Sequence, residues 1–509
     1  MAGSSYGGAG ESTAGNGGIA GGGEAGSAIV NGRIALDAPV IVRTKPLQST
    51  KVEFTLLRSG LGTEVTVKAS GLPNGVTATD ATIAEGSSFG SLILLVSDPT
   101  LVGGPFPFTL QATATGYPNV SSEKLVDMFI AQGSGQLDTS FGSSGIVAIR
   151  AAGGDSDLAR DVATDASGRT LVVGCGKSAA GELGWVTRLT REGAYDGTFA
   201  GGALTNIGAL PSCVHRVVER GGASAVWVVE SNAGSTASFI RKLNDVGATD
   251  NTFGASRNGD VLLASAVTPL DLLAFPNGIV TLAAPGNRPA VFDDHGLQSS
   301  SFAPPANLVA QKIAVDSKGR IIYGWVSSTG FAFGRLTATG QLDSGFGSGG
   351  LAPMYPFPSG ATSGKLAALM LAPDEGFYAL VETSGGTSKP SAVSVLAYAS
   401  DGLLDVKYSA SGRRPITENG TAYDAIVDPT GHVIAMYGEL NSATQQMMIR
   451  LSSTFSGYTE GAFGTAGQVD VTNAVPNLAP LGLTQDPYGA RVVVYGSAGA
   501  NAALVRYWL

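Results

Sequence analysis

The stretch GQLDTSFGSSGIVAI, residues 135–149, is nearly repeated as GQLDSGFGSGGLAPM from Gly340 onward. When the chain is aligned on the aromatic residue of this phrase, seven copies follow one another at intervals of 44 to 62 residues. The seven aromatics are Phe141, Phe199, Phe253, Phe302, Phe346, Tyr408 and Phe463. An acid stands three residues before six of them, at Asp138, Asp196, Asp250, Asp343, Asp405 and Glu460, whereas the fourth copy has Gln298 and one extra residue. A period of this length, sustained to the end of the chain, indicates a repeat architecture.

Each unit has the same order of strands and turns. After the aromatic come a glycine, a short apolar strand and a hairpin over an Asp-x-x-Gly turn, as in VATDASGRTLVVG (residues 162–174). Asp favours such a turn by bonding its own backbone, and Gly accepts the left-handed position. A last strand ends in Arg-Leu, as in WVTRL (residues 185–189). Four strands in each of seven units predict an all-β chain with a seven-bladed β-propeller of four-stranded blades over residues 133–509.

The repeated LDxxFG phrase is predicted to connect one blade's outer strand to the next blade. Its aromatic would fill the gap between adjacent blades. Its acid would cap the turn or pair with an arginine eight residues earlier, as Asp196 with Arg188. Because a catalytic carboxylate is rarely repeated around a ring, these residues are predicted to be structural.

This pattern resembles the delta-60 repeat, a bacterial β-propeller family, over about three quarters of the chain. The resemblance implies a propeller and an extracellular or outer cell-surface location, and it implies no reaction. Residues 30–132 contain seven short alternating segments, which predict an Ig-like β-sandwich. Their phrase ASGLPNGVTA (residues 69–78) resembles a turn of bacterial Ig-like surface modules.

Residues 1–29 are rich in Gly, Ser and Ala, and they predict a flexible, disordered tether. They resemble the tether that follows the lipidated cysteine of bacterial surface lipoproteins, which implies a lipid anchor upstream of residue 1. A plain disordered terminus of a soluble protein is the alternative.

Composition narrows the function classes. The 509 residues carry a net charge of −9 and no Lys/Arg run, which argues against nucleic acid as a partner. No apolar stretch approaches the roughly 18 residues of a transmembrane helix. The three histidines, His215, His295 and His432, have no metal-ligand spacing, and no EF-hand string occurs. The sequence therefore predicts no metal and no cofactor, with calcium as an open alternative.

The two cysteines, Cys175 and Cys213, are placed by the repeat at the end of the third strand of blade 1 and the start of the second strand of blade 2. Both ends lie on one rim of neighbouring blades. A disulfide is one interpretation, and it would fit an oxidising compartment. A buried free cysteine is the other.

Two departures from the repeat are candidate ligand sites. The loop PMYPFPSGATSGK (residues 353–365) carries Tyr355 and Phe357, which could stack on a sugar or peptide, or could simply cover the edge of their own blade. The phrase FDDHG (residues 292–296) contains Asp293, Asp294 and His295, which could line a metal or sugar site or be a drifted connector.

The absence of a known catalytic motif favours a non-catalytic bacterial surface or secreted binding module, with a protein or polysaccharide partner. The alternatives are a structural subunit of an extracellular assembly and a propeller enzyme acting on polysaccharide. An enzyme would need acids or histidines outside the repeat to converge at one end of the central channel.

Overall fold

A computed structural model describes residues 32–150, 156–178, 181–207, 211–232, 235–263, 267–284, 286–385, 389–440, 444–453 and 459–509. The predicted tether at residues 1–29 lies outside the described residues. The chain divides into two compact units, of which one ends at Gln132 and the other comprises Gly133–Leu509. Regular structure in the described residues is β apart from one 3-10 turn, Val471–Asn473, so the all-β prediction is confirmed.

The first unit is built from two sheets that enclose one apolar core. Along its third strand Val52, Phe54 and Leu56 are buried, while Lys51 and Glu53 are exposed. This period of two is what a strand with one covered face requires. One sheet, in the order β1-β3-β7-β5, contains β1 (Arg33–Asp37), β3 (Ser49–Ser59), β7 (Phe89–Val96) and β5 (Val76–Ala78). The other, in the order β2-β9-β8-β4-β6, contains β2 (Ile41–Thr44), β9 (Tyr117–Ile130), β8 (Gly103–Ala114), β4 (Val65–Ser70) and β6 (Ala81–Ile83).

The second unit holds seven sheets in its described residues, which we number 1 to 7 along the chain. Sheet 1 contains β11 (Ser156–Thr164), β12 (Thr170–Ser178), β13 (Gly181–Leu189) and β14 (Thr205–Asn206). Sheet 2 contains β15 (Ser212–Arg220), β16 (Ala223–Asn232), β17 (Ser235–Leu243) and β18 (Asp260–Leu262). Sheet 3 contains β19 (Thr268–Phe275), β20 (Gly278–Ala284) and β21 (Pro289–Asp293). Sheet 4 contains β22 (Lys312–Val315), β23 (Ile321–Val326), β24 (Gly330–Leu336) and β25 (Tyr355–Pro356).

Sheets 5 to 7 complete the unit. Sheet 5 contains β26 (Ser363–Leu371), β27 (Phe377–Gly385), β28 (Lys389–Tyr398) and β29 (Arg413–Thr417). Sheet 6 contains β30 (Gly420–Val427), β31 (Val433–Leu440), β32 (Thr444–Leu451) and β33 (Gln468–Asp470). Sheet 7 contains β34 (Leu478–Gln485), β35 (Arg491–Ala498), β36 (Asn501–Trp508) and, from the beginning of the unit, β10 (Ile146–Ile149).

The sheets close into a ring, which is the architecture of a β-propeller. The first strand of each sheet contacts the first strand of the next, and β34 of sheet 7 contacts β11 of sheet 1. The first strands therefore surround a common axis. The last sheet is shared between the two ends of the unit, because β10 pairs with β36 in antiparallel register from Ile146 opposite Val505 to Ile149 opposite Ala502.

The predicted position of the LDxxFG connector is wrong by one strand. Phe199 lies between β13 and β14, which pair with each other in sheet 1, so the connector joins the third and fourth strands of one sheet. Each sequence unit consequently begins with the outer strand of the preceding sheet. The same offset moves Cys175 to the second strand of sheet 1 and Cys213 to the first strand of sheet 2.

Sheet 3 also departs from the prediction, because it has three strands instead of four. Its connector is followed by residues 303–310, APPANLVA, which form no strand. Pro304 and Pro305 lack the N–H groups that a paired strand would donate.

Candidate functional site

The first strands of the seven sheets share one irregularity. In six sheets a β-bulge interrupts the pairing of the first strand with the second, as between Ala159 and Asp161 in sheet 1. The residue directly after the bulge occupies what we call the axial position, and Lys312 takes the matching place in sheet 4. The axial positions are Asp161, Arg216, Asp271, Lys312, Ala368, Asp424 and Gly482. Charged groups of alternating sign therefore follow one another on the first four sheets.

The axial carboxylates bind the backbone of the next sheet. Oδ2 of each carboxylate accepts a hydrogen bond from a backbone N–H of the next sheet. The donor is the residue that directly follows the axial position of that sheet. The three bonds run from Val217 to Asp161 (3.0 Å), from Ile313 to Asp271 (2.9 Å) and from Leu483 to Asp424 (2.9 Å). Adjacent first strands have no ladder between them, so these bonds satisfy backbone donors that the inner edge of each sheet leaves unpaired.

At Gly482, where the axial side chain is missing, the hydroxyl of Tyr495 occupies the space. A Cβ at Gly482 would lie 2.3 Å from the Tyr495 hydroxyl and 2.7 Å from Oδ2 of Asp424, so only glycine fits there. The Tyr495 hydroxyl donates to Oδ1 of Asp161 at 3.1 Å. Burial and the neighbouring Asp161 and Asp424 carboxylates raise the pKa of Tyr495.

The axial groups are partly accessible but surrounded by protein, and this environment shifts the pKa values of two of the carboxyl groups. Burial raises the pKa of Asp424 to about 6, against the opposing effect of the Leu483 N–H. Burial also raises the pKa of Asp161, although the Arg216 charge and three hydrogen bonds act in the opposite direction. His215 precedes Arg216, and burial together with the Arg160 and Arg216 charges lowers the pKa of His215 to about 4.

The acids of the LDxxFG phrase form a different, repeated contact. Arg188 donates to Asp196 at 2.7 Å and lies over the Phe199 ring at 4.8 Å. The same trio recurs as Arg335, Asp343 and Phe346, as Arg506, Asp138 and Phe141, and with a lysine as Lys242, Asp250 and Phe253. Burial acts to raise the pKa of Asp196, but the donors from Thr198 and Arg188 outweigh it and lower that pKa.

The remaining two acids of the series have other partners. Asp405 accepts the backbone N–H of Lys407 at 2.9 Å, while Glu460 lies 3.4 Å from Nε2 of His432. Neither acid has an arginine eight residues before it, and Arg450, ten residues before Glu460, binds Asp428 instead.

All seven repeat aromatics pack in apolar clusters that combine two neighbouring sheets. Phe199, for example, packs with Val186 of sheet 1 and Val226 of sheet 2. The residue after six of these aromatics donates its N–H to a turn of the following sheet. These six bonds run from Gly142 to Glu192, Ala200 to Val246, Gly254 to His295, Ala303 to Thr339, Gly347 to Asp401 and Gly464 to Ser134. The connector thus fastens each sheet to the next.

The two cysteines form a disulfide between sheets 1 and 2. The Cα atoms of Cys175 and Cys213 are 4.9 Å apart, and the bond closes a sequence separation of 38 residues. No thiol is free in the described residues. The bond joins the second strand of one sheet to the first strand of its neighbour.

The predicted aromatic loop is packed against its own sheet. Tyr355 belongs to β25 and pairs with Phe331. The Phe357 ring lies edge-on to the Phe331 ring at 5.3 Å, and both Tyr355 and Phe357 are half-buried against the core of sheets 4 and 5. This geometry matches the alternative in which the loop covers a sheet edge.

The FDDHG phrase is an ordinary turn of the repeat. Oδ1 of Asp293 accepts the N–H groups of His295 and Leu297, both at 2.9 Å, just as Asn244 does in sheet 2. Asp294 forms an exposed ion pair with Arg220. Within the described residues, no group of three or more His, Cys, Asp or Glu side chains is placed to hold a metal ion.

The structure brings together residues that the sequence analysis did not select. Asp161, Lys312 and Asp424 each stand four residues before the aspartate of an Asp-x-x-Gly turn, and a charge at that place in an apolar strand was the available signal. The described part of the chain contains no helix long and apolar enough to cross a membrane.

No family model and no curated protein matches this chain. Among solved structures, virginiamycin B lyase from Staphylococcus aureus is 12% identical, with 72% of this chain and 99% of that chain covered and a TM-score of 0.40. The GH74 xyloglucanase from Xanthomonas campestris is 12% identical, with 70% and 52% covered and a TM-score of 0.40, so this chain spans about half its length. A putative glycoside hydrolase from Parabacteroides distasonis is 12% identical, with 72% and 98% covered and a TM-score of 0.28. These similarities assign no activity to the chain.

Proposed function

We propose that this chain is a non-catalytic binding module of the bacterial cell surface or of secreted material, with a polysaccharide or protein partner. In this proposal the seven sheets are the blades of a seven-bladed propeller of the delta-60 repeat type. Residues 32–132 of this proposal are an Ig-like spacer.

One observation carries the proposal: the acids nearest the ring axis are engaged in holding the ring together. Asp161, Asp271 and Asp424 each accept a backbone N–H from the next sheet. A carboxylate that acts on a substrate needs a lone pair directed at the reacting atom. The axial acids are directed at the backbone of the fold, which supports a scaffold that presents a surface.

The extracellular location has separate support. The disulfide between Cys175 and Cys213 joins two sheets of the ring. Such bonds persist in oxidising compartments and are rare in the cytosol.

The test is binding of the labelled full chain to arrays of glycans and bacterial envelope fractions, with and without calcium. A saturable signal that survives competition with an unrelated acidic protein is the expected result. A signal lost in Tyr355→Ala or Phe357→Ala, with unchanged tryptophan fluorescence, would place the ligand at the rim loop. Absence of saturable binding across both arrays would contradict the proposed function.

A second candidate is an enzyme acting on polysaccharide. Asp161 and Asp424 flank the Tyr495 hydroxyl, and burial raises the pKa of both carboxyl groups. Carboxyl groups with raised pKa values are typical of general acids. Release of sugar ends from a bound glycan, abolished in Asp424→Asn, would favour this candidate.

A third candidate is a structural subunit of an extracellular assembly. Leu57, Phe89, Ile93 and Leu95 are exposed and share one face of the sheet β1-β3-β7-β5. Exposed apolar groups on one face are typical of contact surfaces. A monomer that persists at high concentration in size-exclusion chromatography would count against this candidate.

A further inference from the structure

The bulges of sheets 1 and 2 place two basic side chains on neighbouring first strands. Arg160 and His215 are the residues skipped by the β11–β12 and β15–β16 pairing, so they hold equivalent positions on strands that contact each other. Both are half-buried. In the other sheets this position holds uncharged residues: Leu270, Gln311, Ala367, Tyr423 and Leu481. Sheets 1 and 2 therefore differ from the other sheets in carrying a basic residue at this position.

Neither side chain has a protein partner in the described ranges. Nε of Arg160 is buried from solvent and donates no hydrogen bond. A buried donor without an acceptor is unfavourable, and no acceptor in the described residues offsets that cost for Arg160. The guanidinium group offers five donors in a planar fork, which suits a carboxylate.

The charges around the pair do not supply that acceptor. Arg216 adds a second guanidinium group, which donates to the carbonyls of Leu270 and His215, both at 2.9 Å. Asp161 already accepts from Val217, Val162 and Tyr495. The nearby carboxylates act on Arg216, and burial together with the Arg160 and Arg216 charges lowers the pKa of His215.

The disulfide fixes the spacing of these two residues. Cys175 pairs opposite Leu158, two residues before Arg160, and Cys213 lies two residues before His215. The covalent link therefore holds the two strand segments that carry the basic side chains. Side chains on strand segments that are held by such a bond lose little conformational freedom when a ligand binds.

We propose that Arg160 and His215 form a binding site for a carboxylated sugar, that is, a uronic acid residue of an acidic polysaccharide. This inference rests on the proposed binding function and specifies the class of ligand that is bound. Arg160 receives the carboxylate. The neutral imidazole of His215 would donate one ring N–H and accept with the other nitrogen, as a neighbouring sugar hydroxyl requires. A peptide carboxyl terminus lacks that hydroxyl, and this difference favours the sugar.

The test uses the full chain and its three histidines, whose imidazole signals can be resolved by NMR. Addition of oligogalacturonate at pH 7 should shift the His215 signal saturably and raise the pKa of His215, because a bound carboxylate stabilises the protonated ring. The exposed His295 should not respond. Arg160→Met should weaken the affinity about tenfold or more, since it removes a charge-assisted hydrogen-bond pair.

Controls separate this site from general effects. Arg257→Met removes an exposed arginine of the same unit and should leave the affinity unchanged. Arg160→Lys keeps the charge and loses the fork, so it should lie between wild type and Arg160→Met, and it replaces that variant if the latter does not fold. The methyl ester of the same oligosaccharide should not shift His215.

Four results would overturn the inference: no His215 shift with oligogalacturonate, equal binding of the methyl ester, an affinity unchanged by Arg160→Met, or a His215 response only to a peptide with a free carboxyl terminus. Saturable binding of a neutral glycan that Arg160→Met leaves intact would overturn this site while the proposed binding function stands. Absence of binding to every glycan and envelope fraction would count against both.

Discussion

The closing contact of the ring is centred on Asp138, and replacing it by asparagine tests how the two ends of the unit are held. Asp138 precedes β10 and is fully buried. Nε of Arg506 donates to Oδ2 of Asp138 at 2.8 Å, and Nε of Arg491 lies 2.8 Å from the same oxygen. Asp138→Asn keeps the size of the side chain and removes the negative charge that both Nε atoms contact, while Asp486 stays 3.8 Å from Nη1 of Arg491.

The expected loss of stability follows from leaving buried charge without its partner. Removing one member of a buried ion pair costs about 3–5 kcal/mol. Two nearly inaccessible guanidinium groups depend on Asp138, since Arg491 and Arg506 are 1% and 3% exposed. We therefore expect Asp138→Asn to lower the free energy of unfolding of the ring by about 3 kcal/mol or more. Urea unfolding of the full chain, followed by tryptophan fluorescence, measures this. All four tryptophans, Trp185, Trp227, Trp325 and Trp508, belong to the second unit.

The matched control is the same substitution at Asp250. This acid holds the same place in the repeat, but its partner Lys242 is a lysine at 3.2 Å and both side chains are more than a fifth exposed. Asp250→Asn should cost less than about 1 kcal/mol. Equal effects of the two substitutions, or a loss below about 1 kcal/mol at Asp138, would refute the reasoning that the closing charge is decisive.

Three further predictions concern the axial acids, the disulfide and the repeat aromatics. Burial raises the pKa of Asp424 to about 6 from 3.8, so the native state retains a proton that the unfolded chain releases, and stability is lost as pH rises through this range. Between pH 3 and pH 7 the free energy of unfolding of the wild type should therefore fall by about 3 kcal/mol relative to that of Asp424→Asn. Urea unfolding at each pH measures this difference, and a difference that does not change with pH would contradict the expectation. Replacing Cys175 and Cys213 by serine should lower the unfolding free energy by about 2–4 kcal/mol, whereas alkylation of two thiols in the native wild type would show that no bond exists. Phe346→Ala should cost about 3–5 kcal/mol in the same assay, and a loss below about 1 kcal/mol would mean that the aromatic does not fill the space between sheets 4 and 5.

The repeat predicted much of the ring because its signals are local in sequence. The spacing of the aromatics gave the number of units, and the Asp-x-x-Gly turns located the hairpins. Pairing between Arg188 and Asp196, eight residues apart, could also be inferred because both stand next to one short connector. Such contacts depend on a few neighbouring residues and their turn chemistry.

Other features depended on how the units join. The offset by which the connector lies within one sheet is invisible in a periodic pattern, because any starting point gives the same period. Strand β10 fixes that choice by pairing with β36 at the far end of the unit. The axial hydrogen bonds were missed for a similar reason, since Asp161 and its donor Val217 are 56 residues apart and meet only when neighbouring bulges align.

For the aromatic loop the sequence left two alternatives open, and the structure matches the one in which the loop covers a sheet edge. Tyr355 and Phe357 stand between prolines in a longer loop, a pattern typical of an exposed ligand surface, yet both rings pack on Phe331 or its cluster. Side-chain direction at a sheet edge is set by the neighbouring strand, and the loop sequence alone does not contain it.

We infer that the axial acids hold the ring together and that the chain binds its partner without turnover. The most direct measurement incubates the full chain with a glycan it binds and quantifies new reducing ends and unsaturated sugar products. The account predicts saturable binding with no product above a protein-free control. Products that accumulate with the wild type and disappear in Asp161→Asn or Asp424→Asn, while binding persists, would contradict it and establish the axial acids as catalytic.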